Sequence, residues 1–124
     1  MPIDTIVEIH DVTARMSIHA VAGRLVKALG PTLVATLAGV KDVKIPYKWA
    51  KADGPTPRAA AQQRLTAAHR VWVLLSAGEN EHVARGWFIG CNPRLAEKTP
   101  VMALRDGQIK DVIDAATAFV EGTD

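Results

Sequence analysis

Along this chain apolar residues recur three and four positions apart, and glycine or proline breaks the pattern at short intervals. That spacing stacks side chains on one face of an α-helix. A half-buried strand would need strict alternation, which is absent. Ile18, Val21, Ala22, Leu25, Val26 and Leu29 follow the helical period up to Gly30-Pro31. Thr32 to Ala38 reads as a short second helix with Leu33, Val34 and Leu37 as its apolar contacts, and Gly39 supplies a turn. Asp42 is a plausible N-cap for a third helix, with Pro46 in its first turn, running to about Asp53 before Gly54-Pro55. Thr56 and Pro57 are suited to the cap and first position of a long fourth helix, to about Ala77, with Ala61, Leu65, Ala68, Trp72 and Leu75 as a buried stripe. Trp49 and Trp72 are therefore expected in the core. Asn80 can cap Glu81 to Ile89, Thr99-Pro100 opens a short helix stopped at Asp106-Gly107, and Gln108 to Glu121 forms the last helix. The expectation is an all-α fold.

The 124 residues leave room for one domain, or for two small helical subdomains sharing a core. A single cysteine, Cys91, excludes an intrachain disulfide framework and a cysteine-rich metal site. The longest bulky apolar run, Val71 to Leu75, is far below the ~20 residues that span a bilayer. Met1 to His10 carries Asp4 and Glu8 and lacks a basic stretch followed by an apolar one, so no signal peptide is expected. The expected setting is a bacterial cytoplasm, with no membrane partner.

Charge is segregated along the chain. Residues 1–23 carry a net −2, residues 24–70 a net +7 and residues 71–124 a net −3. A basic middle between acidic ends points to one segment that meets a polyanion and others that do not. Within the basic segment, Leu33 to Trp49 has the rhythm of a helix-turn-helix: apolar Leu33 and Leu37, then Gly39, then Val40 under the turn, then Trp49 returning to the core. Lys41, Lys44, Tyr47, Lys48 and Lys51 are left pointing outward, a set suited to phosphates and a few base edges. These five are the candidate DNA-binding residues. The face holds no Arg, Asn or Gln, the residues that most often read bases, so sequence discrimination is expected to be weak.

In the C-terminal segment Trp87-Phe88-Ile89 places three bulky apolar residues about 100° apart on a helix, more than one core can easily take. Together, Ala84 to Leu95 (Ala-Arg-Gly-Trp-Phe-Ile-Gly-Cys-Asn-Pro-Arg-Leu), Thr99-Pro100-Val101-Met102-Ala103-Leu104 and a final helix closed near Glu121-Gly122 resemble the toxin-binding domain of Xre/MbcA/ParS-type antitoxins. The resemblance covers about residues 24–122, and the Trp87…Asn92-Pro93…Leu95…Pro100 spacing is its specific part. It implies an Xre-like helix-turn-helix bundle in residues 1–55 and a small helical toxin-binding domain in residues 56–124, sharing a long central helix. It also implies the antitoxin of a type II toxin–antitoxin pair, which blocks a RES-domain toxin that consumes NAD and binds its own promoter as operator DNA. A homodimer or a larger assembly with the toxin is expected. Matching positions are Trp87, Asn92, Pro93, Leu95, Pro100 and Leu104. Phe88, Arg94, Met102, Arg105 and Phe119 are the expected exposed partner-binding residues, with Val83 and Trp87 turned inward. The alternative is an orphan helix-turn-helix regulator, or a protein-interaction module, without a toxin.

Enzyme chemistry is not expected. His10, His19, His69 and His82 show no metal-ligand spacing, Cys91 has no evident base with an orienting third group, and Asp111 and Asp114 sit on the polar side of the last helix. No catalytic residue, metal or cofactor is assigned.

Overall fold

A computed structural model describes residues 3–122, with side chains throughout that range except 3, 4, 9 and 10. His10 therefore lies outside the described side chains. Every regular element among the described residues is helical: α1 (Ile3–Ala14), α2 (Ile18–Leu29), α3 (Pro31–Ala38), α4 (Ile45–Trp49), α5 (Ala59–Gly78), α6 (Glu81–Ile89), a 3-10 turn (Pro93–Leu95), α7 (Pro100–Arg105) and α8 (Ile109–Glu121). The caps explain several boundaries. Ser17 accepts from the Ala20 amide, Asn80 from Val83 and Thr99 from Met102, each satisfying an otherwise orphaned first-turn N–H.

α5 is the hub, packed against α1, α2, α3, α6, α7 and α8. Its sequence suits that position. Leu65, Ala68, Val71, Leu74 and Leu75 are buried, and the many alanines let neighbouring helices approach from several sides. The buried residues before and after residue 55 belong to one cluster, in which Leu25, Val34 and Leu37 join Leu65, Phe88, Leu104 and Val112.

Several local expectations are corrected. α4 ends at Trp49 rather than near Asp53, and residues 51–54 turn instead, with the Gly54 amide donating to the Lys51 carbonyl at 2.9 Å. Asp42 caps a turn rather than the helix: its Oδ1 accepts from the Lys44 amide at 2.9 Å. α5 starts two residues beyond Pro57, which is buried, while Gln62 Nε2 donates back to the Pro57 carbonyl at 2.8 Å. Thr56 is thus no cap. Trp49 is buried as expected, but Trp72 is only half-buried, because it lies at the edge of the stripe that Leu65, Ala68 and Leu75 press into the core.

Two glycines are required by geometry. Gly39 ends α3 in the left-handed region (φ 88°) and its amide bonds to the Ala35 and Thr36 carbonyls. At Gly54 a Cβ would collide with the Lys48 carbonyl oxygen, so Gly54→Ala forces the backbone apart. Equilibrium urea unfolding of Gly54→Ala is expected to show a loss of about 1–3 kcal/mol.

α1 is fastened to α5 by a buried polar pair. The Thr13 hydroxyl and His69 Nδ1 lie 2.6 Å apart, and both residues are buried. Burial, with a smaller contribution from the Arg24 charge, lowers the His69 pKa from 6.5 to about 4. Above pH 6.5 the imidazole is neutral in both folded and unfolded chains, so its contribution is constant. Between pH 6.5 and about 4 the unfolded chain takes up a proton that the folded chain refuses, and stability falls as pH falls. The slope approaches about 1.4 kcal/mol per pH unit. His69→Gln, which cannot titrate, is expected to flatten the dependence of the urea midpoint on pH across this window. An unaltered slope would show that another group sets it.

Candidate functional site

Lys41, Lys44, Tyr47, Lys48 and Lys51 are all exposed, Tyr47 at 53%. They do not share one helix. Tyr47 and Lys48 lie in α4, Lys44 occupies its cap position, and Lys41 and Lys51 lie in the turns on either side. What displays them is the apolar pair Pro46 and Trp49, both buried. These two residues are three apart, so they point the same way and seat α4 on α2 and α3. A hydrogen bond reinforces the seat: His19 Nδ1–H, on α2, donates to the Trp49 carbonyl at 2.8 Å. The lysine side chains must then face solvent.

The turn between α3 and α4 is braced from α5. Arg64 Nη1 donates to the Ala38 carbonyl at 3.3 Å, filling space beside Gly39 that a Cβ would crowd. Arg64 also lines an open cleft of about 500 Å³ with Thr32 and Thr36 of α3, Lys41 and Val43 of the turn, and Arg105 of α7. Arg105 therefore lines the same cleft as Lys41, because α7 packs on α3. No sequence spacing could reveal this neighbourhood, since its three cations come from three separate segments.

The expected partner residues divide. Arg94 and Arg105 are exposed, and Met102 and Phe119 are half-buried. Phe88 is corrected: it is 0% exposed, one of the largest fully buried side chains. The inward stripe of α6 runs through Ala84 and Phe88, four apart, which leaves Trp87 and Val83 at its flanks, only half-buried. Trp87 meets the Phe88 ring edge-on, with centroids 5.7 Å apart. Ile89, one residue further round, is 54% exposed and is the large apolar surface residue of α6 that the sequence reading did not single out.

The residues that carry the resemblance mostly shape the chain. Asn92 Oδ1 accepts from the Arg94 amide at 2.9 Å, its backbone amide donates to the Lys98 carbonyl, and its carbonyl accepts from Leu95 and Glu97. The loop thus closes on itself, with Ala96 and Glu97 in the left-handed region and Leu95 buried as its plug. Thr99 then caps α7, while Pro100 and Leu104 are buried. Lys98 Nζ ties this loop to the α7–α8 corner by donating to Asp106 Oδ2 at 3.0 Å and Gln108 Oε1 at 2.9 Å. That ammonium holds the Asp106 carboxyl below its usual pKa.

Among the described residues there is no group of three or more His, Cys, Asp or Glu able to hold a metal ion. No described helix is long and apolar enough to cross a membrane. No family model, no curated protein and no solved structure matches the chain.

Proposed function

We propose that the chain is the antitoxin of a type II toxin–antitoxin pair. In this reading α3, the Gly39 turn and α4 act as an Xre-like helix-turn-helix on the operon's own promoter. The segment from α6 to α8 lies over the active-site mouth of a RES-domain toxin and keeps NAD out. The observation that carries the reading is the order of two features in one chain. An exposed lysine set on a braced turn precedes the Trp87…Asn92-Pro93…Leu95…Thr99-Pro100 pattern, whose polar members cap and close a loop of defined shape. The charge pattern supports it too, because the basic face and the net acidic C-terminal segment suit different partners.

The partner surface in this reading centres on Ile89 and the half-buried Trp87, Met102 and Phe119, with Arg94 at its rim. Phe88→Asp is no probe of it, since it would unfold the chain. The test is NAD consumption by a RES-domain toxin encoded beside this chain, with the full-length protein added. Wild type is expected to suppress turnover, and Ile89→Asp or Met102→Asp to weaken suppression about tenfold or more, with melting unchanged. A second reading has one observation in its favour: with Phe88 turned inward, the exposed apolar patch is smaller than the sequence led one to expect. An orphan regulator would leave NAD turnover untouched and still retard promoter DNA in a gel.

A further inference from the structure

We infer that the cleft between α3 and α7 is a phosphate-binding position on the nucleic-acid face, in which Arg105 and Lys41 together hold one backbone phosphate of a DNA duplex. The inference rests on the reading that the lysine face binds DNA, and it extends that face onto a residue of the C-terminal segment. The cleft brings together Lys41, Arg64 and Arg105, and no carboxylate among the described residues lines it. Arg64 is a fixed charge there, held by its bond to the Ala38 carbonyl. Among the described residues Arg105 forms an ion pair with Asp106, whose Oδ1 lies 3.7 Å from Nε, longer than a hydrogen bond, and Lys98 occupies that carboxylate's other oxygen. A guanidinium so placed can offer its fork to a phosphate, and Lys41 can add a point charge.

The ligand class follows from what surrounds the cleft. Lys41 belongs at once to the cleft and to the exposed lysine set. On the other side, the groove that shares Gly39, Val40 and Arg64 with this cleft carries Arg58. The cations therefore form a track and not a single pocket. A lone carboxylate on a protein partner would use one of these positions. A duplex, with its repeating phosphates, can use several, and each adds counterion release.

The test is fluorescence anisotropy of the full chain with a labelled duplex of the DNA directly upstream of its reading frame, and with a scrambled duplex, across a salt series. The double variant Arg105→Gln/Lys41→Gln is expected to weaken both duplexes about eightfold at about 0.1 M salt and to reduce the log–log salt slope by about 0.9, the loss of one phosphate, with each single variant showing part of that loss. Arg105→Lys should restore most of the slope, and the melting temperature of each variant should match wild type. If Lys44→Glu/Lys48→Glu lowers affinity strongly while Arg105→Gln and Lys41→Gln, singly and together, leave slope and affinity unchanged, the cleft is not a phosphate position, although the lysine face is. Affinity lost at an unchanged slope, or Arg105→Gln impairing toxin inhibition alone, overturns the inference as well. If wild type binds neither duplex, the underlying DNA reading fails together with it.

Discussion

Full-length protein carrying Phe88→Ala is expected to be about 3–5 kcal/mol less stable than wild type. That is a large share of the roughly 5–15 kcal/mol that holds a domain of this kind together. The ring is fully buried in the common core, and it is the largest buried side chain of α6, which packs against α5, α7 and α2. Ala84 is the other buried side chain of α6, and Trp87 packs against the core only from the flank, half-buried. Truncation therefore removes apolar burial and leaves a cavity, and it also removes the edge-to-face contact with Trp87. Ile89→Ala, at an exposed position, is expected to change stability by only about 0.5 kcal/mol. Urea unfolding of both variants checks the assignment. Equal losses, or a larger loss at Ile89, would mean that α6 is rotated by about one residue, roughly 100°.

Reversing Lys44 and Lys48 together to glutamate is expected to lower DNA affinity more than about a hundredfold at about 0.1 M salt, without lowering stability. Wild type, with about four lysine–phosphate contacts per protomer, should show a log–log salt slope near −3.6, and the double variant about half of it. Stability should hold because both side chains are exposed, and because Pro46 and Trp49, not the lysines, seat α4. Discrimination between the upstream duplex and a scrambled one should be small. The exposed set is four lysines and one tyrosine, and it lacks the bidentate groups that give about 1–3 kcal/mol per base. Binding that ignores both salt and the charge reversal would exclude a role for this face in holding DNA.

Much of the helical layout was legible because it is local. Three-and-four spacing, Gly30-Pro31, and the caps at Asn80 and Thr99 act within a turn or two of themselves, and α2, α3, α6, α7 and α8 follow them closely. Trp49 was legible for the same reason, since it lies at the inward position of its short helix. The weak points were also local. Asp42 and Thr56 are residue types that serve turns as readily as helix starts, and the chain between Trp49 and Gly54, Ala50-Lys51-Ala52-Asp53, is helix-compatible but has no large apolar side chain to bury and hold another turn of helix.

By itself the sequence determined the helical class, the order of the elements from α2 onward and which residue types face water on the basic segment, because those follow from period, breakers and charge, whereas α1 was not anticipated. Tertiary structure decided which of three consecutive bulky residues on α6 enters the core, since the packing of α6 against α5, α7 and α2 selects Phe88 over Trp87 and Ile89. It also buried His69 against Thr13 and brought Arg105, Lys41 and Arg64 to one cleft. These placements join residues far apart in the chain, and the energy that makes them is apolar burial between helices, which is non-directional and leaves no spacing signature at the positions it brings together.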